Sequence, residues 1–253
     1  MSHPQRENPL SADAAGPAAP RHLILPPPYA QHRIDAGDVV DEAVRLAPQE
    51  GAGALVWRHG GGVLAFAVVL EPEQPLAEAR MAFFAGMAAL GDALAAHCAP
   101  DRTVRVGYPD VLLYDGARLG GARLVTPQHC ADDEVPAWMV FAVELIAERD
   151  HLTEPGAWPE STSLKEEEFA AAEGIVESFA SYLMFWFDRL THRGLGSVVE
   201  RYLERLDPPL ESGARTLADG DLIERLPSGE ISRHSLAAGL AACRWRDKEG
   251  PRL

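Results

Sequence analysis

Lysine is almost missing from this chain: of 253 residues only Lys165 and Lys248 carry an ε-amine, and neither stands in a ligand-type motif. Positive charge is short overall, 23 basic against 38 acidic residues, for a formal net charge of −15. That balance argues against a broad phosphate-tracking surface, so small molecules or proteins are the expected partners and nucleic acid is not. Cys98, Cys130 and Cys243 are odd in number, far apart and without metal-ligand spacing. They exclude a disulfide framework and fit a reducing cytoplasm. No second ligand cluster accompanies His129, Cys130 and Asp132, so no metal site is expected. The best apolar runs, "VLAFAVVL" and "WMVFAV", are strand-sized and short of the roughly 18 residues of a membrane helix, so no membrane association is expected. Residues 1–20 are biased to proline and alanine without an apolar centre. They predict a flexible tail rather than a signal peptide.

What the chain does have is apolar mass, 47% hydrophobic residues, enough for one sizeable core with a small appendage. "HLILPPP" predicts a short edge strand stopped by Pro26, and the run from Asp38 predicts a capped helix. "GALVWRH" and "VLAFAVVL" predict strands joined through Gly60, Gly61 and Gly62. "PLAEARMAFFAGMAALGDALAAH" predicts a long helix. Val106–Leu124, "VGYPDVLLYDGARLGGARL", predicts a hairpin starting at Pro109 and turning at Asp115 and Gly116. A strand at "WMVFAVELIAE" and two helices with wide apolar faces follow. Beyond "DPPLESG", short strands with "DG" and "SG" turns predict a β-rich cap. Trp57, Trp138, Phe185, Trp186 and Phe187 are expected in the core.

Three groups of residues carry candidate chemistry. Gly60, Gly61 and Gly62 have no side chains to hold a ligand off their amides, with Arg58 and His59 beside them; the same run also suits a plain hairpin turn, and both readings stand. Arg118 carries a permanent planar fork for carboxylate or phosphate. Strand alternation puts Gly120 on its face and Arg123 on the other, against the alternative of an arginine turned to solvent. Tyr108 and Asp110 flank Pro109 where an aromatic packs on a ring and a carboxylate accepts a hydrogen bond, or where a strand merely begins. Cys130 is the one thiol in a loop near these strands, but its neighbour His129 points another way.

The Gly107–Val111 stretch with Gly116–Gly121 resembles the paired motifs of the biotin/lipoate protein ligase family, Lys-Trp-Pro-Asn-Asp followed by Gly-x-Lys-(Val/Leu/Ile)-Ala-Gly. Both motif lysines are replaced, the second by Arg118. Arg58–Gly62 resembles the Arg-Arg-x-x-Gly-Gly-Gly loop of lipoate ligases, and Thr162, Ser163 and Leu164 resemble the Thr-Ser-Leu of octanoyl transferases, without their cysteine. "LADGDLIERLPSGEI" resembles the small C-terminal β domain of biotin ligases. "LVW", "LEPEQPLAEAR", "DEVPAW" and "GPRL" are similar to a poorly characterised bacterial branch.

The resemblance implies an α/β fold, a mixed β-sheet covered by helices with a small C-terminal β-rich module. Residues 21–208 would form the ligase-like domain and 209–253 the module. It implies a protein that activates or transfers a biotin-, lipoyl- or octanoyl-type acid to a lysine of a carrier protein, with ATP and Mg as co-substrate, as a cytoplasmic monomer or homodimer. Arg118 would be the catalytic cation, and Arg58, His59, Gly60, Gly61, Gly62, Tyr108, Pro109, Asp110, Gly120 and Gly121 the ligand-binding set. The alternative is a catalytically degenerate member that binds a cofactor, acyl-adenylate or carrier domain without chemistry.

Overall fold

Asp38 starts the first helix by accepting a hydrogen bond from the Val40 amide, satisfying one of the donors a helix leaves free. In the computed structural model, which describes residues 22–152, 154–169 and 171–253, this helix is the first of six; the expected tail over residues 1–20 lies outside the described residues. The first half runs β1 (Ala30–Arg33), α1 (Val39–Glu50), β2 (Ala54–Gly60), β3 (Val63–Leu70), α2 (Leu76–Ala79), α3 (Ala82–His97), β4 (Val104–Gly107), β5 (Val111–Tyr114) and β6 (Ala117–Val125). The second runs β7 (Met139–Ile146), α4 (Ala172–Arg193), α5 (Leu195–Glu204), β8 (Ala214–Ala218), β9 (Asp221–Arg225), β10 (Ile231–His234) and α6 (Leu236–Ala242).

β3 and β7 pair antiparallel along their whole lengths at the centre of a seven-stranded sheet of order β1-β2-β3-β7-β6-β5-β4. Only β1 and β2 are parallel, so the sheet is mixed. β7 is buried at every position, as expected of a strand covered on both faces. On one face α3, α4 and α5 pack over Phe66 and Phe141 of the sheet, with Phe179 of α4 stacked on Phe141 at 5.8 Å. Each such ring, fully buried, contributes roughly 1.5–3 kcal/mol. On the other face α1 covers Val56, Ala65, Ala67 and Val140, and the part of that face not reached by α1 carries the site described below. β8, β9 and β10 form the separate three-stranded sheet of the C-terminal module.

Three expectations are corrected. Residues 22–26 form no strand, although Leu23 is buried; the sheet edge is β1, which has a parallel partner in β2. Phe185 is 46% exposed with Arg189 stacked on it, because its side of α4 faces away from the sheet. The stretch Leu76–His97 is long and apolar enough, by length and composition, to cross a membrane. That escaped a search for unbroken apolar runs because Glu78 and Arg80 interrupt it. In the fold 72% of that window is buried, since α3 is sandwiched between the sheet and α4 and α5.

Candidate functional site

β5 and β6 are joined by a two-residue turn in which Asp115 and Gly116 both have positive φ. This turn matches the twist of a tight hairpin. The pairing then slips: Leu113 opposes Arg118 but Leu112 opposes Gly120, leaving one extra residue in β6. A bulge of this kind resets which face each later side chain takes. Gly120 has φ +152°, and a Cβ there would run into the Glu144 carbonyl. The alternation expected from the sequence is therefore corrected: Gly121 and Arg123, not Gly120, share the Arg118 face.

The sheet edge beside Arg118 is completed by the Thr-Ser-Leu segment. The Arg118 amide donates to the Glu160 carbonyl at 2.8 Å and the Thr162 amide to the Arg118 carbonyl at 2.9 Å, while Leu164 continues onto Ile146. Arg149, buried, holds this segment through Ser161 at 2.9 Å and a two-pronged pair with Glu166 at 2.7 and 2.9 Å. The half-buried Arg118 guanidinium places two of its donors on main-chain oxygens from the far end of the chain: Nε on Arg252 at 3.0 Å and a terminal nitrogen on Leu253 at 3.1 Å. Desolvation lowers its pKa from the ordinary arginine value, and it remains a cation.

Those oxygens belong to a strap, residues 244–253, that follows α6 across the open face. Trp245 is buried over Gly121, where a Cβ would meet its indole, and its Nε1 donates to Asp110 Oδ2 at 3.1 Å. Arg246 reaches Glu144 at 3.2 Å, and Arg123 reaches the same buried carboxylate at 2.7 Å and Asp38 at 3.5 Å. Burial pushes the Asp110 carboxyl up to about 7, with the Trp245 hydrogen bond pulling the other way.

Gly61 and Gly62, both at positive φ, form the two-residue turn between β2 and β3, and the Gly62 carbonyl accepts from the Ala147 amide at 2.7 Å. The bland reading of the glycine run is thus realised in its backbone. The ligand reading is left room, because a Cβ on Gly60 or Gly61 meets nothing within 4 Å. Arg58 bonds the Gly60 carbonyl at 3.2 Å and lines a cavity of about 190 Å³ with Asp38, Glu144, Arg246 and Lys248. Its Nε, like that of Arg123, is buried without a hydrogen-bond partner among the described residues. His59 points to the opposite face and pairs with Glu173 at 3.1 Å. A second cleft, of about 540 Å³, lies between Gly61, Gly62, Ile146, His151 and Trp158 on one side and the strap on the other.

Tyr108, Pro109 and Asp110 sit at the junction with the C-terminal module. The Tyr108 hydroxyl donates to the Gly220 carbonyl at 2.8 Å, Tyr202 donates to the Pro109 carbonyl at 2.8 Å, and a cavity of about 220 Å³ beside them is completed by His234, Gly239 and Arg244. The fold therefore brings Arg118, Arg58, Gly121 and the glycine turn to one face, with Tyr108, Pro109 and Asp110 at its margin and His59 behind it. Cys130 packs beside Leu76, Ala79 and Met139 with its thiol pKa raised, burial being the leading cause. No cluster of three or more metal-ligating side chains occurs among the described residues. Sequence reasoning missed Trp245, Glu144, Arg246 and Lys248. For the strap residues the signal available was an unusual density of charge and a tryptophan in "RWRDKEG"; for Glu144 it was a lone carboxylate inside the apolar run "FAVELI".

The profile of the biotin/lipoate A/B protein ligase family matches residues 25–204. No curated protein matches the chain. Among solved structures, a biotin protein ligase-like protein of unknown function from a Silicibacter species superimposes with a TM-score of 0.71 at 24% identity, covering 87% of this chain and 99% of that one. The Aquifex aeolicus biotin protein ligase in complex with biotin and ATP gives 0.58 at 11% identity, covering 80% and 94%. The Leishmania major biotin protein ligase with biotin gives 0.52 at 14% identity, covering 83% and 99%. At these identities the likeness carries the fold.

Proposed function

This chain belongs to the biotin/lipoate A/B protein ligase family, and we propose that it activates a biotin-, lipoyl- or octanoyl-type acid with ATP and passes the acyl group to a carrier-protein lysine. In the first step the acid's carboxylate attacks the α-phosphorus of ATP, and pyrophosphate leaves. In the second a lysine amine attacks the acyl carbonyl, an amide forms, and AMP leaves with the bonding pair. Both steps bring anions together, so the protein's part is fixed positive charge and convergent donors.

The observation that carries the reading is Arg118: a guanidinium on the open face, two of whose donors already hold oxygens of adjacent residues, those of Arg252 and Leu253. A carboxylate or the phosphate of an acyl-adenylate offers a like pair of oxygens on a single charged group. Arg58, with its orphaned Nε, and the open space over Gly60 and Gly61 supply a second anion position for the nucleotide phosphates; Mg²⁺ enters with the nucleotide. The reading assigns residues 21–208 to this chemistry and 209–253 to a module that covers it.

The test incubates the purified protein with ATP and magnesium, each acid in turn, and apo biotinyl and lipoyl carrier domains, reading intact mass. The expected result is a carrier heavier by one acyl group, lost in Arg118→Ala. No mass gain with any acid and carrier overturns the transfer reading, and binding of an acid without transfer would then identify a holder rather than an enzyme.

A further inference from the structure

The strap is the feature that the transfer chemistry does not use. It covers the face where that chemistry is placed. Arg244 to Leu253 make two kinds of attachment. The first half is anchored: Trp245 is 1% exposed against Gly121 and Asp110, and Arg246 is paired with Glu144. The second half is held lightly. Asp247 to Glu249 and Arg252 are exposed, Pro251 and Leu253 half-buried, and only Gly250 is buried. It is tied by an Arg246–Pro251 bridge with the Arg252 amide on the Trp245 carbonyl and the Asp247 amide on the Gly250 carbonyl, both at 2.9 Å, by Arg252 Nε on the Arg246 carbonyl at 3.2 Å, and by the two oxygens on Arg118.

The strap also divides space. Glu249 and Gly250 line both the 190 Å³ cavity that holds Arg58, Glu144 and Lys248 and the 540 Å³ cleft beside Gly61, Gly62, His151 and Trp158. With residues 247–253 withdrawn, the two become one cleft running from Arg58 past the glycine turn to Arg118. Trp245 would stay in place as the fixed end of the movement.

We propose that residues 247–253 are a displaceable mask which occupies Arg118 in cis, and that an acyl-adenylate takes the guanidinium over when the mask leaves. The proposal rests on the reading of Arg118 as the anion anchor. At Arg118 Nε the exchange replaces the uncharged peptide carbonyl of Arg252 with a phosphate oxygen, and charge-assisted hydrogen bonds are roughly twice as strong as neutral ones; at the terminal nitrogen the Leu253 carboxylate oxygen is replaced by another charged one. The exchange is thus driven by the ligand, and the mask keeps the charged cleft closed in its absence.

The experiment compares the full chain with a chain stopped after Glu249, measuring by calorimetry the Kd of three non-hydrolysable probes, the biotinyl, lipoyl and octanoyl sulfamoyl-adenosines. The shortened chain is expected to bind at least one probe tenfold or more tighter. A synthetic peptide of residues 248–253 added in trans should reverse the gain, and Arg118→Ala should abolish it. Equal Kd values for the two chains, with both weakened by Arg118→Ala, overturn the mask and leave the anchor standing. Binding to neither chain by any probe, with both folded by thermal melting, overturns the anchor and the mask together. If the shortened chain does not fold, Arg252→Pro in the full chain removes the amide that bonds the Trp245 carbonyl and is judged by the same tenfold criterion.

Discussion

Trp245 and Asp110 meet across 135 positions of sequence, indole Nε1 to carboxylate Oδ2 at 3.1 Å, both nearly sealed from solvent. This contact fixes the C-terminal module to the strand pair that carries Arg118, and it makes the junction sensitive to proton uptake.

Asp110 keeps its proton in the folded protein up to about 7, against an ordinary 3.8. Between those values the folded state binds more protons than the unfolded one, so stability falls as pH rises through the window, by a few kcal/mol in all. Asp110→Asn keeps an acceptor for Trp245 and removes the titration. Urea unfolding at pH 5 and pH 8 should find the variant gaining on the parent by at least about 1 kcal/mol between the two. A difference that does not change with pH contradicts the assignment.

Asp92 predicts the opposite slope. Burial pushes its pKa up, but hydrogen bonds from Arg201, Arg205 and Trp186 outweigh that and hold the carboxyl below its ordinary value. Its contribution is present above the ordinary carboxylate range and is lost as pH falls through the lowered pKa. Asp92→Asn leaves two arginines facing each other without their shared charge and should cost about 3–5 kcal/mol at neutral pH, read as a shift of the denaturation midpoint with unchanged slope. A cost below about 1 kcal/mol would mean that solvent carries the arginines.

The glycine turn separates its two readings by position. Gly62→Ala places a Cβ 2.9 Å from the Glu148 carbonyl at φ +76° and should destabilise the fold by about 1–3 kcal/mol. Gly60→Ala meets nothing within 4 Å, so its melting temperature should stay within a few degrees of the parent's, while affinity for an adenylate probe drops. Unchanged affinity in Gly60→Ala reduces the run to a hairpin turn.

Much of this architecture was legible because local chemistry and tertiary environment agreed. Asp38 caps α1 as its side chain dictates, Val63–Leu70 is the strand its apolar run predicts, and the turns at Asp115–Gly116 and Asp219–Gly220 fall where a residue tolerant of positive φ meets glycine. The site was legible only in outline. The bulge at Leu119 had a signal in the Gly120–Gly121 pair inside the strand, which from residue types alone suggested only clear space, and the bulge moved Arg123 onto the Arg118 face. The strap was invisible for a different reason: Trp245 finds Asp110, and Leu253 finds Arg118, only once the sheet has formed. Such long-range pairings leave no periodicity to read.

The claim on which the functional account depends is that Arg118 is the anchor for an anionic acyl ligand. Its Nε–H resonance, assigned in a ¹⁵N-arginine spectrum by its disappearance in Arg118→Lys, reports the bond to Arg252 directly. Titration with the octanoyl, lipoyl and biotinyl sulfamoyl-adenosines should shift that resonance saturably for at least one probe, at the Kd found by calorimetry. A probe that binds while the Arg118 resonance stays where it was would contradict the account.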